Sequence, residues 1–504
     1  MALRIWLIVF DLLILLASFF ISLLFKPTAH FIDYVSENVV PCTIFVAIWL
    51  VSSFLFGKYH PKGKDFAPFA SRILLSNLSS LAVLAVLMFS FYYFSFSRIV
   101  VFGTVGIATF FEFVFFGVWF LFKQSHEVFD EPISLKGKPK KDYKLVTAID
   151  IPIDAARKKT IKNSIVEELG ENVYQYFNGI LNLGVESTLI LSTTTRFNID
   201  NQPSHAFNTI INLKRVNDLR RINKFFESAN TKLPKGGLFI CRAETKNLRK
   251  ERILKKFPPV INLIYYSFDF IVKRILPKFS LTKGLYFFLT RGENRVITRA
   301  ELLGRLYSCG FEVVDEEFVD KHLYVVSRKV KLPAYDLEAT YGPLIKLRRI
   351  GKDGKEIRVY KMRTMHPYAE YLQEYVFEKN ELEEGGKFKD DFRVSTLGRL
   401  MRRLWIDELP MIYNLLKGDL KIVGVRPLSR HYFNLYTKEL QEKRTRYKPG
   451  LVPPFYADNP KTLEEIMASE HKYLDAYAKH PFWTDFRYFF VAVYNIIFKR
   501  YRSS

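Results

Sequence analysis

The residues of this chain best suited to chemistry are two adjacent carboxylates, Asp407 and Glu408, in the string Leu404-Trp-Ile-Asp-Glu-Leu-Pro410. A helical pattern, Met411–Lys417, follows this string and stops at Gly418. Proline suits the first turn of a helix, and acidic residues are favoured at the positive end of a helix. Taken alone, the two acids therefore favour a helix cap, and the surrounding residues must decide whether they do more.

Several uncommon strings flank these acids in a fixed order along the chain. Upstream lie Tyr360-Lys-Met-Arg-Thr-Met365, Lys389-Asp-Asp-Phe-Arg-Val-Ser395 and Gly398-Arg-Leu-Met-Arg402. Downstream lie Lys417-Gly-Asp-Leu-Lys-Ile-Val-Gly-Val-Arg-Pro427 and Tyr447-Lys-Pro-Gly450. The set places arginine and lysine on both sides of a carboxylate pair, which is an arrangement suited to phosphate chemistry.

In order and spacing, these strings resemble the catalytic domain of bacterial sugar transferases, also called polyprenyl-phosphate sugar-1-phosphate transferases or monotopic phosphoglycosyl transferases. The family pattern runs K-x-R-T-M, D-x-R-(I/V)-(T/S), D-E-L-P, V-G-P-R-P and K-P-G, and the resemblance covers residues 335–504. The N-terminal part also resembles the four-span head of the larger members. Those members place an α/β domain between the spans and the catalytic unit.

The resemblance implies transfer of a sugar 1-phosphate from a nucleotide diphosphate sugar to polyprenyl (undecaprenyl) phosphate, which initiates exopolysaccharide, capsule or O-antigen synthesis. It implies that Asp407 attacks the sugar-bearing phosphorus and forms an aspartyl-phosphosugar intermediate. Glu408 is the expected ligand of Mg²⁺, an ion that prefers hard oxygen donors and phosphate groups. Arginine binds phosphate oxygens in a bidentate manner, and the predicted substrate-binding cations are Lys361, Arg363, Arg393, Arg402 and Arg426.

Three departures from the family pattern leave a second function open. Most members carry a long apolar, proline-broken segment before the catalytic core, whereas the matching stretch here, Val330–Thr340, is short and polar. Val425 replaces the first proline of V-G-P-R-P, and Leu451-Val-Pro-Pro-Phe455 replaces a glycine-rich turn. The alternative is therefore a catalytically weakened or inactive membrane scaffold of the same fold.

Long apolar runs fill the first quarter of the chain. At about 1.5 Å per helical residue, each run can cross a hydrocarbon core of about 30 Å. The loop after the second run and the tail after the fourth are rich in lysine, which places both termini in the cytoplasm. We predict four transmembrane helices in residues 1–123 and a multi-pass protein of the bacterial cytoplasmic (inner) membrane, with its catalytic domain facing the cytoplasm. The four runs are Arg4–Phe25, Val39–Phe56, Arg72–Phe96 and Ile99–Phe122.

The net charge of +24 indicates anionic partners. No nucleic-acid recognition motif accompanies the scattered lysines and arginines, so anionic membrane lipids and a phosphate-rich substrate are preferred to nucleic acid. The three cysteines have no metal-ligand spacing, which predicts neither a disulfide nor a zinc site. Self-association into a homo-oligomer stays open.

Residues 124–144 are charged, contain two prolines and are predicted to be a linker. In residues 145–330, strand-like runs alternate with helical patterns, which predicts a Rossmann-like α/β domain on a largely parallel sheet. The helical patterns include Val216–Ala229 and Arg299–Ser308, and the five strand-like runs are Ser187–Thr195, Phe207–Leu213, Gly237–Arg242, Phe311–Asp315 and Tyr324–Ser327. Its back half resembles the closing half of a class I methyltransferase. However, Leu181-Asn-Leu-Gly184 has one glycine where a cofactor loop needs two or three. We therefore predict no recognisable cofactor site, with a membrane-tethered methyltransferase as a weaker alternative.

Two aromatic-rich segments could lie at a membrane surface. Phe257–Phe279 has lysine and arginine at its ends, which suits an interfacial segment. An amphipathic helix packed on its own domain explains this segment equally well. The stretch Arg487–Phe498 near the C-terminus has the same character, and we expect it to form an interfacial helix. The predicted fold class is thus a multi-domain membrane protein with transmembrane, Rossmann-like and phosphoglycosyl transferase parts.

Overall fold

The computed structural model describes residues 2–25, 35–36, 38–60, 66–90, 97–127, 151–258, 261–335, 342–373, 375–376, 391–497 and 499. The chain forms two compact units, Met1–Val128 and Phe129–Ser504. The last helix of the first unit ends at Glu127, so residues 124–127 of the predicted linker are helical. The rest of that predicted linker lies outside the described residues.

The described part of the N-terminal unit contains four apolar helices. Three of them, the first, third and fourth, are long and apolar enough to cross a membrane. The second has 17 residues, at the lower limit of the roughly 17–25 that a span needs. A membrane-associated unit is therefore confirmed, and a count of four spans stays a prediction. The helices are α1 (Ala2–Leu24), α2 (Val39–Leu55), α3 (Ala67–Ser90) and α4 (Arg98–Glu127).

Helix α3 begins earlier than the sequence pattern predicted. It runs from Ala67, whereas the apolar run was expected to start at Arg72. Pro68 lies in its first turn, where proline is favoured because the missing N–H needs no partner there. The predicted end of this run, residues 91–96, lies outside the described residues.

A buried polar cluster joins the four helices of this unit. Lys58 Nζ, just after α2, lies 2.8 Å from Asp11 Oδ1 on α1 and 2.6 Å from Glu112 Oε1 on α4. Asn77 on α3 donates to Glu112 Oε2 at 2.9 Å, and Trp49 on α2 donates to Asp11 Oδ2 at 3.0 Å. Buried charges are tolerated when they are paired and hydrogen-bonded. The cluster therefore ties the short helix α2 to the three longer ones.

The second unit begins with an α/β sheet of five strands in the order β1-β2-β3-β5-β4. Strands β1, β2 and β3 are parallel, and β5 lies between β3 and β4, antiparallel to both. An α/β sheet region is thus confirmed, and its assignment as Rossmann-like stays a prediction. Leu181–Gly184 precedes β1, whereas a dinucleotide-binding loop follows the first strand. The strands are Thr188–Leu191, Thr209–Arg215, Leu238–Ala243, Phe311–Val319 and His322–Lys329.

Helices cover both faces of this sheet. The two helices before β1 bury Ile165 and Phe177 against one face, and Phe226 and Leu302 belong to the core on the other face. The helices are α5 (Ala155–Leu169), α6 (Glu171–Ile180), α7 (Phe197–Asp200), α8 (Ile222–Lys232), α9 (Lys246–Lys256), α10 (Ile261–Phe270), α11 (Ser280–Thr290) and α12 (Arg299–Ser308). The predicted helical pattern Arg299–Ser308 is thus observed as α12. The other pattern, Val216–Ala229, is divided between a 3-10 turn, Val216–Asp218, and α8.

The C-terminal part combines short strands with many helices. Of the stretch Val330–Thr340, the described residues, which end at Tyr335, contain no helix. The last helix begins at Pro481, earlier than the predicted start at Arg487. The elements are β6 (Leu344–Ile350), β7 (Glu356–Met362), α13 (Thr396–Arg403), α14 (Met411–Lys417), β8 (Lys421–Val423), α15 (Arg430–Asn434), α16 (Lys438–Thr445), β9 (Gly450–Val452), α17 (Phe455–Asp458), α18 (Leu463–Lys479) and α19 (Pro481–Ile497).

Helix α12 packs directly on the C-terminal part. A Cβ on Gly304 would lie 2.3 Å from the Tyr368 carbonyl oxygen, so only glycine allows this approach. Tyr375 donates from its hydroxyl to Glu316 Oε1 at 2.6 Å, and Arg299 Nε donates to Glu316 Oε2 at 2.7 Å. The core of the central sheet therefore includes side chains from beyond the predicted boundary at residues 330–335.

Candidate active site

A buried asparagine joins strand β7 to helix α14. Asn414 accepts a hydrogen bond from the Tyr360 N–H at 3.0 Å and donates to the Arg358 carbonyl at 2.8 Å. Both contacts are with the backbone of β7, so they hold the helix against the strand without depending on strand side chains. As a result, the acidic string that precedes α14 lies beside Lys361, which belongs to the same strand.

Helix α13 begins against the chain that follows β7. A Cβ on Gly398 would lie 1.9 Å from the Thr364 carbonyl oxygen, which makes glycine necessary at this position. Ser395 caps the helix by accepting from the Gly398 N–H at 2.9 Å, and its own hydroxyl donates to the Thr364 carbonyl at 3.0 Å. One turn later, Arg402 Nε donates to Thr364 Oγ1 at 3.0 Å. Helix α13 therefore presents Arg402 in a defined direction.

The two acids lie in a tight turn between α13 and α14. Trp405 has a left-handed φ of 56°, and a 3-10 helix, Ile406–Glu408, follows it. Such a conformation costs about 1–3 kcal/mol for a non-glycine residue and persists where contacts enforce it. Here the Trp405 ring packs edge-on against Tyr456, with 5.2 Å between centroids. Helix α14 starts after Pro410, which occupies the N-cap position.

The two carboxylates differ in their partners. Glu408 Oε1 lies 2.6 Å from Lys361 Nζ, and both side chains are less than one-fifth exposed. Within the described part of the chain, no salt bridge ends on Asp407. Burial raises the pKa of Asp407 above its usual value, and the adjacent Glu408 charge raises it further, while Lys361 and Arg402 oppose both effects. Lys361 and Arg402 thus lower the pKa of Asp407, but together they do not return it to its usual value.

Desolvation also affects the nearest arginine. It lowers the pKa of Arg402, and the carboxylates of Asp407 and Asp391 oppose this shift. The Arg402 side chain is nevertheless exposed, so its guanidinium is accessible to an incoming anion. Arg402 therefore combines a fixed Nε contact with guanidinium donors of the kind that bind phosphate oxygens.

Arg426 approaches from the loop after β8. Strands β8 and β9 pair in parallel, and a Cβ on Gly450 would lie 2.1 Å from the Gly424 nitrogen. The two downstream strings of the sequence therefore meet in space. Arg444, which is paired with the buried Glu470, donates to the Arg426 carbonyl at 2.6 Å and holds this loop. The Arg426 side chain itself is exposed.

Arg426 extends the positive charge of the site. It lowers the pKa of Arg402, and it adds to the burial that lowers the pKa of Arg349. Arg426 is therefore within electrostatic reach of both Arg402 and Arg349. Arg349 belongs to β6 and was not among the predicted site residues, because a single arginine in a basic strand carries no distinctive sequence signal.

Two predicted substrate-binding residues are engaged elsewhere. Arg363 Nε donates to the Gly342 carbonyl at 3.0 Å. Burial lowers the pKa of Arg363, and the carboxylates that oppose this shift are Glu370 and Glu301 rather than Asp407. The structure thus directs Arg363 toward the central domain.

Arg393 is likewise committed to neighbours. It is buried, donates to both oxygens of Asp391 at 2.7–3.1 Å, and donates to Gln373 Oε1 at 2.6 Å. The structure therefore brings together Asp407, Glu408, Lys361 and Arg402, with Arg426 near Arg402, and gives Arg363 and Arg393 other contacts.

The carboxylate pair fits a magnesium ion bound together with substrate. Among the described residues, no group of three or more His, Cys, Asp and Glu side chains could hold a metal by itself. Mg²⁺, however, is commonly held by one or two carboxylates, with water and substrate phosphates completing the shell. Burial and the Glu408 charge raise the pKa of Asp407, and a bound cation would oppose both effects. The residues present are therefore compatible with the predicted ion.

Residues 330–499 match the family described as bacterial sugar transferase. The galactosyl transferase CpsE of Streptococcus agalactiae serotype III (strain NEM316) is 32% identical over 144 residues, which are 28% of this chain and 31% of that protein. The UDP-N-acetylgalactosamine-undecaprenyl-phosphate N-acetylgalactosaminephosphotransferase of Aeromonas hydrophila is 33% identical over 115 residues, which are 22% of this chain and 24% of that protein.

The undecaprenyl-phosphate galactose phosphotransferase of Salmonella typhimurium (strain LT2) is 33% identical over 109 residues, which are 21% of this chain and 23% of that protein. The chain thus covers less than a third of the length of each of these three relatives. The similarity concerns a limited part of each relative, and the matched family region contains the carboxylate pair and its cations.

Proposed function

We propose, from the membership of residues 330–499 in the bacterial sugar transferase family, that this chain transfers a sugar 1-phosphate from a nucleotide diphosphate sugar to polyprenyl phosphate. The observation that carries the proposal is the environment of Asp407, a partly buried carboxylate next to Glu408 and opposed by Lys361 and Arg402. Two relatives are named as phosphotransferases acting with undecaprenyl phosphate, which supports this acceptor. The product would begin exopolysaccharide, capsule or O-antigen synthesis.

The geometry supports a two-step transfer through the Asp407 side chain. A carboxylate oxygen attacks the phosphorus that bears the sugar, the pyrophosphate P–O bond breaks, and a nucleoside monophosphate leaves with the bond electrons. A phosphate oxygen of the polyprenyl acceptor then attacks the same phosphorus and releases the Asp407 carboxylate. Arg402 and Arg426 would offset the phosphate charge during both steps. Dividing the transfer suits substrates that come from water and from the bilayer.

Glu408 is the residue we propose as a ligand of Mg²⁺. When bound, the ion would supply charge neutralisation at the donor pyrophosphate. Lys361 holds the Glu408 carboxylate at 2.6 Å and so sets its orientation toward the site. We expect chelation to stop turnover and added magnesium to restore it.

We further propose that the enzyme works at the cytoplasmic face of the bacterial inner membrane. The three helices long and apolar enough to span, together with α2, would form a four-span anchor. The lysine-rich loops favour a cytoplasmic catalytic domain. The central domain would be a Rossmann-like support rather than a methyltransferase. β1 is followed by Ser192-Thr-Thr-Thr195, which contains no glycine for a cofactor loop.

The test is turnover by the full-length chain in membranes. Preparations are incubated with undecaprenyl phosphate and a panel of nucleotide sugars, and the released nucleotide and the lipid product are identified. We expect a nucleoside monophosphate, released only when the acceptor is present in multiple-turnover conditions. When the acceptor is omitted, mass spectrometry should show a sugar-phosphate adduct on the peptide that contains Asp407.

The same assay separates the proposal from its alternative. Release of a nucleoside diphosphate would contradict phosphoryl transfer, because it requires cleavage of the sugar–oxygen bond instead. An adduct on another residue would contradict the role of Asp407. A folded chain that turns over no nucleotide sugar of the panel would favour the inactive membrane scaffold.

A further inference from the structure

The central domain carries an exposed apolar face on two short helices. The face consists of Ile264, Phe268 and Ile271 from α10 and its extension, and of Leu281, Leu285 and Phe288 from α11. Leu281 is 95% exposed and Phe288 is 83% exposed. Monomeric soluble proteins rarely expose contiguous apolar surface of this kind without a partner. We therefore expect this face to be covered by an interaction partner.

The exposure has helical periodicity. The six residues of the face recur at intervals of four and three positions, so each helix contributes one stripe, and Ile261 and Leu263 add further exposed apolar surface beside the first stripe. A π turn, Ile271–Ile275, and a 3-10 turn with Pro277 join the two helices. Proline cannot continue a regular helix, which accounts for the break between the stripes.

The opposite side of the two helices is held firmly by the domain. Asp269 is buried and lies 2.7 Å from Arg249 Nε, and Arg274 is buried against Glu301. Tyr286 on α11 is fully buried. The apolar stripes are therefore presented outward by a fixed base.

The charges around the face favour an anionic surface as the occupant. Between Phe257 and Gly292 the chain has five basic residues and one acidic residue, Asp269, which is buried. Lys256 lies exposed before α10, and Lys283 and Arg291 are exposed on and after α11. Apolar stripes bordered by exposed cations are suited to the headgroup region of a membrane with anionic lipids. A second copy of this chain would bring like charges together.

The lengths of the helices favour a location in one leaflet. Helices α10 and α11 have 10 and 11 residues, and at about 1.5 Å per residue each is roughly 15 Å long. A hydrocarbon core is about 30 Å thick, and the buried ion pairs of Asp269 and Arg274 hold α10 and its extension against the domain instead of across such a core. Helices of this kind lie in the interface, with their apolar side chains about 5–10 Å deep.

We propose that Ile261–Thr290 is an interfacial membrane-binding element, and that its ligand is a bilayer containing anionic phospholipid. This inference goes beyond the proposed transfer reaction and does not depend on it. The element adjoins the C-terminal part, because the Lys278 carbonyl lies 3.8 Å from the position of a Cβ on Gly342. Arg274 also joins it to α12, whose Gly304 packs on Tyr368. Binding would therefore orient the candidate active site relative to the bilayer.

The experiment measures lipid contact in the full-length chain. Phe268→Cys and Phe288→Cys variants are labelled with a small fluorophore in nanodiscs of phosphatidylcholine and phosphatidylglycerol. Quenching by doxyl-labelled lipid is compared with quenching by aqueous iodide. The matched control is Phe197→Cys, because Phe197 and Phe268 are both 66% exposed and Phe197 lies outside the apolar face. The unsubstituted chain corrects for labelling of the three native cysteines.

We expect lipid quenching at positions 268 and 288 to exceed that at 197 by at least about twofold, with the opposite order for iodide. Removing phosphatidylglycerol should decrease lipid quenching at both positions. Iodide quenching at 268 and 288 equal to that at 197 would overturn the proposal. Protection from both quenchers would also overturn it, since the face would then be covered by protein. Lipid quenching that is insensitive to phosphatidylglycerol would overturn the requirement for anionic lipid.

Discussion

The second unit contains two clusters in which acidic and basic side chains lie together. Their charges are compensated to different extents. On α12, Glu301 is buried and contacts the guanidinium groups of both Arg274 and Arg305. Near α14, Glu408 is paired with Lys361, whereas within the described residues no salt bridge ends on Asp407. In the first cluster two arginines compensate the Glu301 carboxylate, whereas in the second the Asp407 carboxylate can still interact with a ligand.

The two clusters shift the pKa values of their carboxylates in opposite directions. Burial alone would raise the pKa of Glu301, but the charges of Arg274 and Arg305 overcome it and lower that pKa well below the usual value. At Asp407, burial and the neighbouring Glu408 raise the pKa, and the cations do not overcome them. A closed cluster stabilises the packing of α12, whereas an incompletely compensated carboxylate can react. Substitutions in both clusters test this difference.

The largest effect is expected for Asp407→Asn. The amide keeps the shape of the side chain but cannot form an acyl phosphate, so sugar-phosphate transfer should decrease by about 10³-fold or more. The unfolding temperature should be unchanged, because the side chain is partly exposed and closes no ion pair among the described residues. Transfer rate and thermal unfolding are measured on the same preparation. Asp475→Asn, at a 59% exposed side chain paired with Lys443, is the control. Activity within about tenfold of wild type would remove Asp407 from the mechanism.

The second prediction concerns Glu301, where a substitution should reduce stability and leave activity unchanged. Glu301→Gln removes the carboxylate that two buried guanidinium groups share, and loss of a buried partner costs about 3–5 kcal/mol. We expect a decrease in unfolding temperature of about 10 °C, with activity per folded molecule retained. Glu251→Gln, which removes an exposed pair with Lys255, should have little effect.

The pH dependence of this difference has a defined sign. Because the pKa of Glu301 is lowered in the folded chain, its contribution to stability is present above its ordinary pKa of 4.5 and is lost as the pH falls below that value. The unfolding temperatures of wild type and Glu301→Gln should therefore converge in acid. A difference that persists unchanged at low pH would contradict the ion-pair explanation.

A smaller loss is expected for Arg402→Ala. Removing one charged donor at a phosphate site should reduce kcat/KM by about 10²-fold. Arg402→Lys should restore only part of it, since lysine keeps the charge but not the planar set of donors. Arg348→Ala is the comparison, because Arg348 is 63% exposed and lies 3.7 Å from Glu356. Equal losses for Arg402→Ala and Arg348→Ala would show that Arg402 has no specific role.

The smallest effect is a shift of the acidic limb of the pH–rate profile. The attacking form of Asp407 is deprotonated, so activity should fall as the pH drops through its raised pKa. Lys361→Met removes a charge that lowers this pKa and should move the limb to higher pH. Glu408→Gln removes a charge that raises it and should move the limb of the residual activity to lower pH. Shifts of the same sign in both variants would contradict the electrostatic assignment.

Local features of the chain were predictable from sequence. Helix Met411–Lys417 and its end at Gly418 are found at the predicted residues, as is helix Arg299–Ser308. All five strand-like runs of the central region are strands. Hydrophobic periodicity, proline at a helix start and glycine at a helix end are local signals, and they act over a few residues. The sequence strings also identified the carboxylate pair and the nearby Lys361 and Arg402.

The directions of long side chains were decided by tertiary structure. Arg363 and Arg393 lie in strings of the same kind as Lys361 and Arg402, yet they contact Gly342 and Asp391. A motif specifies the residue type, but an arginine side chain turns toward whichever acceptors the packed neighbours provide.

Local residue patterns thus indicated most of the elements, the family resemblance and the candidate site residues. In contrast, the shared core of α12 and Tyr375 and the outward-facing apolar side of Ile261–Thr290 follow from packing between distant parts of the chain. The sequence pattern of that segment was equally compatible with burial. Which side of an amphipathic helix is covered depends on the partners that the rest of the fold supplies, and those partners are distant in sequence.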